Sequence, residues 1–370
     1  MFRINISFLL LFNVLTLYCI LSIQHVNSNI INNDIINEEY KFKTIDSIPK
    51  IFYGTAWKKE KTSNLVLNAL LSGFTAIDTA CQPKHYSESG VGDGIKIAIE
   101  KGYIKRSDLF IQTKFTPFPG QDPTRLPYHK DSTLIEQIKQ SFSVSLSNLH
   151  VNYIDSIVLH SPLDTLELTM EAWGQLEIFH NEGKIKYLGI SNLYNINHLK
   201  YLYEHATVKP TFIQNRFYKK TGFDNDIREF CNSHGMKYQG FWTLTANRNA
   251  IARYIYIYIY IIVSIYLSIY ILTITHIAVT PICSPLFEEL SLRYHKTPAQ
   301  LFYLFLNNLG IIPLSGTQSG VHMKEDVTVL GTGYRTGTGD GTVTGLTAAV
   351  PWYFSANDMI RIKESIAEHD

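Results

Sequence analysis

Three short apolar segments of this chain each end in an ionisable side chain, which is unusual for strands that are to be buried. They end at Asp78, Lys114 and His160, and helix-length stretches separate them along the chain. This alternation predicts parallel strands joined by helical crossovers. The carboxyl ends of such strands face one rim of a barrel, where (β/α)8 proteins carry their active sites. We therefore expect the three side chains to meet at that rim, together with Tyr86, which follows the first strand.

The rest of the chain contains enough strand-like segments to close a barrel. Apolar, β-branched segments predict strands at 49–55, 76–80, 109–115, 154–160, 185–191, 211–215, 236–242 and 310–315. Helical periodicity predicts helices at 64–72, 132–149, 167–181, 195–206, 225–234 and 285–308, and an amphipathic helix after the candidate cap Ser355. The predicted fold class is α/β, one (β/α)8 TIM barrel over residues 48–370, with two atypical insertions at 251–278 and 331–351.

Three longer motifs resemble the aldo-keto reductase family, and they occur in the order that this family has. They are Gly73 to Ala80, Leu149 to Pro162 and Gly183 to Asn192. The resemblance covers residues 48–250 and 283–330. It implies an oxidoreductase that reduces the carbonyl of a small-molecule aldehyde or ketone to an alcohol, with NADPH or NADH as cofactor. The alternative is a non-catalytic barrel that binds a nucleotide, or a regulatory subunit.

The resemblance also implies a role for each residue at the rim. Tyr86 is the general acid that gives a proton to the carbonyl oxygen. Lys114 favours the phenolate and so lowers the pKa of Tyr86, while Asp78 keeps Lys114 charged and oriented. His160 forms a hydrogen bond with the carbonyl oxygen and fixes its direction.

The tyrosine is the least regular member of this set. The family tyrosine follows its aspartate by five positions, a place that Pro83 holds here, whereas Tyr86 follows Asp78 by eight. We therefore assume a loop insertion between them. His85 is the competing candidate for the acid.

The cofactor site is also assigned by resemblance. Ser191, Asn192 and Gln214 resemble the polar residues that hold the nicotinamide carboxamide, and Phe241 takes the place of the aromatic residue that stacks on the ring. At the adenosine end, Ser315 and Thr317 are candidates to bind a phosphate, and His322 stands where the family has an arginine. Because Leu314 replaces the family's lysine, we expect only a modest preference for NADPH over NADH.

Bulk properties restrict the partners. The net charge of +1 predicts no basic surface for nucleic acid. The four cysteines lack metal-ligand spacing, so no metal site is predicted, and Cys81 is interpreted as a packing residue. We expect a monomer.

Residues 1–28 resemble a secretory signal peptide, with Arg3 ahead of an apolar stretch, and 29–47 are interpreted as a linker. This leader predicts the secretory pathway or an organelle reached through it. Without a functional leader the protein would be cytoplasmic.

The two insertions differ in composition from the rest of the chain. Residues 254–275 alternate Tyr and Ile at their start and carry no charge, and as a helix they would extend roughly 33 Å, enough for a bilayer. A retained intron with a TATATA repeat would encode the same alternation, and we favour this origin because a membrane span here would leave no return span. Membrane attachment is expected only if this tract or the leader is a true span. The Gly- and Thr-rich tract 331–351 lacks the Gly-Lys-Ser/Thr ending of a phosphate-binding loop and is interpreted as low complexity.

Overall fold

A closed barrel of eight parallel strands forms the centre of the computed structural model, which describes residues 44–253, 282–330, 336–337, 343–344 and 354–368. The strands are β1 Phe52–Gly54, β2 Ala76–Asp78, β3 Phe110–Phe115, β4 Ile154–Leu159, β5 Ile185–Ser191, β6 Phe212–Arg216, β7 Lys237–Phe241 and β8 Ile311–Ser315. Each strand pairs with the next, and Tyr53 of β1 pairs with Ser315 of β8 to close the ring. The predicted (β/α)8 barrel is confirmed.

Helices alternate with the strands. They are α1 Thr62–Leu71, α2 Glu88–Glu100, α3 Leu134–Leu149, α4 Leu166–Asn181, α5 Ile196–His205, α6 Asn225–Ser233, α7 Thr243–Ala246, α8 Arg248–Ile251, α9 Pro285–Tyr294, α10 Pro298–Asn308, α11 Gly320–Val329 and α12 Ala356–Glu368. The hydroxyl oxygen of Ser355 accepts a hydrogen bond from the backbone of Asp358 at 3.1 Å, so the predicted cap of the last helix is confirmed.

The single helix predicted at 285–308 is wrong. Helix α9 ends at Tyr294, the following His295 has a left-handed backbone with φ of 52°, and α10 begins after Thr297. Thr297 and Gln300 form a reciprocal capping box, and Pro298 occupies the first turn of α10. Proline has no N–H to continue the preceding helix, so the chain restarts instead of extending α9.

Helix α2 was not predicted, and three closely spaced glycines in its sequence explain why. A Cβ atom on Gly92 would lie 2.0 Å from the backbone oxygen of Asn148 in α3, and one on Gly94 would lie 2.6 Å from that of Ser63 in α1. The glycines therefore permit close approach between helices and do not mark a loop.

The barrel interior has an apolar layer and a polar layer. Rings of Phe52, Phe110 and Phe212 pack edge to face, with the centroids of Phe52 and Phe110 5.3 Å apart. The polar layer contains three buried glutamines, Gln112, Gln214 and Gln239. A larger apolar cluster lies between strands and helices, with fully buried Trp173 in α4. The polar layer is what positions the site.

Several sequence-based predictions lie outside the described residues. These are the leader 1–28, nearly all of the linker, the tract 254–275, and all of 331–351 except two short antiparallel strands, Thr336–Gly337 and Val343–Thr344. Within the described part of the chain, no helix has the length and apolar character needed to cross a bilayer.

Candidate active site

Lys114 and Asp78 form a buried ion pair at the centre of the barrel mouth. They end or nearly end two adjacent strands, and the side-chain nitrogen Nζ of Lys114 lies 2.6 Å from Oδ2 of Asp78. The same Nζ donates to the backbone oxygen of Thr79 at 2.8 Å. The side chains are only 1% and 2% exposed. Burial lowers the pKa of Lys114, and Asp78 opposes that shift.

The three glutamines of the polar layer fix the other oxygen of Asp78. Oδ1 of Asp78 accepts hydrogen bonds from Nε2 of Gln112 at 2.8 Å and from Nε2 of Gln214 at 2.9 Å. Both amides also donate to Oε1 of Gln239, at 2.8 and 2.9 Å. Gln112 and Gln239 were not predicted as site residues. Their signal in the sequence is an amide at an inward position of an otherwise apolar strand.

Tyr86 and His160 complete the predicted set beside Lys114. The ring centroids of Tyr86 and His160 are 6.0 Å apart in an edge-on arrangement, and Nζ of Lys114 lies 5.3 Å from the Tyr86 ring centroid. Burial and the Asp78 carboxylate raise the pKa of Tyr86 above its ordinary value. The expected lowering of this pKa by Lys114 is not seen in the protein alone, where burial and Asp78 set the direction of the shift. The phenol is neutral and keeps its proton at neutral pH.

His160 is neutral and oriented by its neighbour. Its ring nitrogen Nδ1 lies 2.6 Å from the hydroxyl oxygen of Thr116, and its backbone N–H donates to Phe115. Burial, Lys114 and His85 lower the pKa of His160 well below its ordinary value. Because Nδ1 contacts Thr116, Nε2 is the ring nitrogen that can form a hydrogen bond with a ligand.

The competing acid, His85, has different contacts. Its ring centroid lies 3.8 Å from that of Trp57, and its Nδ1 is buried without a hydrogen-bond partner among the described residues. Burial and Lys84 lower its pKa. Tyr86, and not His85, packs against Lys114 and His160, so the contacts favour Tyr86. Cys81 is buried, and burial raises the pKa of its thiol, which agrees with a packing role.

A groove of about 1150 Å³ crosses the barrel mouth from Tyr86 to helix α11. Its wall contains all the predicted site residues except Lys114 and Ser315, namely Asp78, Tyr86, His160, Ser191, Asn192, Gln214, Phe241, Thr317 and His322. Small-molecule pockets usually measure about 300–1,000 Å³, so the groove is large enough for an extended ligand. Lys114 lies behind Asp78. Ser315 is fully buried, and its hydroxyl donates to Asp326 at 2.7 Å, so it is not brought to the groove.

The residues predicted to hold the nicotinamide lie in the middle of the groove. Hydroxyl and amide groups of Ser191, Asn192 and Gln214 lie together there, since Ser191 pairs with Gln214 across β5 and β6 and donates to its backbone oxygen at 2.7 Å. Asn192 donates to the backbone oxygen of His160 at 2.9 Å. These amides are complementary to a carboxamide, and the Phe241 ring lines the same stretch of the groove.

Two acidic residues lie at the end of the groove where the adenosine is expected. Glu325 and Asp326 line the groove with His322. Burial raises the pKa of Asp326 to about 7, and nearby Glu325 contributes in the same direction. Carboxylates at this end oppose the binding of an additional phosphate.

Comparison with known proteins identifies the family that the chain resembles. The model of the Aldo/keto reductase family matches residues 50–247. The oxidoreductase YtbE of Bacillus subtilis is 33% identical over 178 residues, which cover 48% of this chain and 57% of that protein. Glyoxal reductase of Bacillus subtilis is 30% identical over 173 residues, covering 47% and 54%. The chain thus spans little more than half the length of these curated relatives.

Solved structures agree on the fold. An aldo-keto reductase enzyme from a Medee basin deep-sea metagenome library superposes with a TM-score of 0.61 at 20% identity, covering 88% of this chain and 93% of that one. Because the family model matches more than half of the residues, the chain belongs to the aldo/keto reductase family.

Proposed function

We propose that this protein reduces aldehyde or ketone carbonyls of small molecules to alcohols, with NADPH or NADH as the electron donor. The observation that carries the proposal is the cluster of Tyr86, Lys114, Asp78 and His160 at one end of a groove that fits a dinucleotide. The relative named glyoxal reductase also supports an aldehyde substrate.

Ser191, Asn192, Gln214 and Phe241 would hold the nicotinamide, and Thr317 and His322 would hold the adenosine end. A bound reduced nicotinamide supplies a hydride to the carbonyl carbon.

The protein's own residues would then manage the carbonyl oxygen. The neutral His160 donates a hydrogen bond through Nε2 and orients the oxygen, with Nδ1 held by Thr116. The Tyr86 hydroxyl donates the proton, since burial keeps it protonated until negative charge develops on the oxygen. Lys114, 5.3 Å from the ring, stabilises the phenolate that remains. Asp78 and the glutamines hold Lys114 in place.

The test is consumption of NADPH by the purified protein with glyoxal or 4-nitrobenzaldehyde, followed by quantification of the alcohol. Stoichiometric formation of alcohol is expected. Tight nucleotide binding without turnover of any carbonyl would favour the non-catalytic alternative. We also propose that the active form is a monomer, which light scattering would check.

A further inference from the structure

Arg216 is a cation in the groove that the proposed reaction does not use. It is the last residue of β6, two positions beyond Gln214, and it lines the groove. Alternate residues of a strand share a face at about 3.3 Å per residue, so Arg216 lies about 7 Å further toward the rim than Gln214. Because Gln214 bonds to Asp78 inside the barrel, Arg216 belongs to the inward face of the mouth.

Aromatic rings hold the Arg216 guanidinium in position. Its central carbon lies 4.4 Å from the ring centroid of Trp242 and 5.1 Å from that of Tyr218. Its backbone N–H donates to the Tyr194 hydroxyl at 3.2 Å. Such stacking fixes a guanidinium without neutralising its charge or occupying its in-plane N–H donors.

No carboxylate pairs with Arg216 in the part of the chain that the structure describes. By contrast, Arg106, Arg125, Arg293 and Arg361 all form ion pairs there, for example Arg106 with Asp155 at 2.8 Å. A planar donor fork that is fixed, unpaired and open to a ligand groove is suited to bidentate binding of a carboxylate or phosphate.

We propose that Arg216 recognises the negative charge of an acidic carbonyl substrate, so that the preferred substrates are aldehydes or ketones with a carboxylate or phosphate group. This rests on the proposed carbonyl reduction. The order of the strands distinguishes the substrate from the cofactor. The candidate adenosine residues Thr317 and His322 follow β8, whereas Arg216 ends β6 and pairs with Phe241 of β7. The cofactor would extend from Phe241 toward β8, and Arg216 lies on the opposite side, toward Asn192 and His160.

The test compares two substrates that differ only in charge, 4-carboxybenzaldehyde and its methyl ester. In Arg216→Gln, kcat/KM for the acid should fall about 10-fold or more, mainly through KM, while kcat/KM for the ester changes less than about twofold. Arg216→Lys should recover part of the loss, since it restores charge but not the donor fork. Lys219→Gln is the matched control, because it removes an exposed positive charge nearby that does not line the groove.

Three results would overturn the assignment: no change for either substrate, an equal loss for both, or weaker NADPH binding with unchanged discrimination between them. The last result would place Arg216 on the cofactor diphosphate.

A binding measurement separates this proposal from the proposed reaction. Calorimetry of 4-(hydroxymethyl)benzoate and its methyl ester with the protein and NADP⁺ requires no turnover. Charge-dependent binding that Arg216→Gln abolishes would support Arg216 even if no carbonyl is reduced. Turnover of both aldehydes without a difference between acid and ester would leave the reaction standing and overturn the role of Arg216.

Discussion

At the scale of single residues, the buried Asp326 should make the stability of the protein depend on pH. Its carboxyl has an ordinary pKa near 4, and burial raises it to about 7 in the folded protein. Between those values the unfolded chain has released this proton and the folded chain still holds it, so raising the pH favours unfolding. We therefore expect the contribution of Asp326 to the free energy of unfolding of the wild-type protein to fall as pH rises from about 4 to 7. Asp326→Asn should remove that component.

The same titration should affect the cofactor. A neutral Asp326 repels an additional phosphate less than an ionised one, so preference for NADPH over NADH should increase as pH falls through about 7. Dissociation constants for both cofactors at pH 6 and pH 8 measure this. Asp326→Asn should flatten the dependence. If the variant keeps the full dependence and His322→Gln removes it, the histidine and not Asp326 is responsible.

The charged site residues could be predicted from the sequence more readily than the neutral residues that form hydrogen bonds with them. Asp78, Lys114 and His160 could be predicted because ionisable side chains at the ends of buried strands need partners. Gln112 and Gln239 of the same hydrogen-bond network could not, since a neutral amide on a strand has many ordinary uses. Ser315 was placed in the groove by family order, but its hydroxyl is used by Asp326, which the family motif does not indicate.

At the scale of the element, two helical glycines should respond oppositely to alanine. Gly92→Ala in α2 should destabilise the protein by about 1–3 kcal/mol, because its Cβ would meet the Asn148 backbone at 2.0 Å. Gly174→Ala in α4 should stabilise it by about 0.5–1 kcal/mol, since nothing lies within 4 Å of that Cβ. Denaturant unfolding of both variants measures the difference. Equal effects would mean that α2 does not approach α3 as closely as described.

Some elements could be predicted from the sequence and others could not, and their local sequences explain why. Buried strands have a clear apolar signal, and all eight were found. Helix α2 was missed because glycine has a low helix propensity, even where its small size allows two helices to pack closely. The break between α9 and α10 was missed because helix-like sequence with apolar residues lies on both sides of 295–298, and the capping chemistry of Thr297 and Pro298 marks the break.

At the scale of the whole molecule, we expect the Tyr-Ile tract to be dispensable for the barrel. Ala252–Arg253 pairs antiparallel with Ile282–Cys283, so the residues that flank the tract are neighbours. Ile251 is buried, and its backbone oxygen accepts from Ser284 at 3.1 Å. Ile251 ends α8, and Ala252–Arg253 form with Ile282–Cys283 a two-stranded sheet that is separate from the barrel. We therefore propose residue 254 as the start of the insertion predicted at 251–278.

We expect the full chain to aggregate, because an uncharged tract of this length exceeds the apolar surface that soluble proteins tolerate and its alternation favours strand pairing. Replacing 254–281 with an Asn-Gly turn should give a soluble protein that binds the cofactor. Replacing 251–278 should be less favourable, since it removes buried Ile251. A soluble full chain with an insoluble 254–281 deletion would contradict the retained-intron origin. Solubility only in detergent, with the tract present in the transcript, would favour membrane attachment.

Turnover of Tyr86→Phe tests most directly whether Tyr86 gives the proton while Lys114 stabilises the phenolate. We predict that kcat with NADPH and an aldehyde falls by about 10²-fold or more in Tyr86→Phe and in Lys114→Met. The dissociation constant for NADPH should remain nearly unchanged in Tyr86→Phe, and His85→Gln should keep most of the activity. Full turnover in Tyr86→Phe together with loss of turnover in His85→Gln would contradict the account and assign the acid to His85.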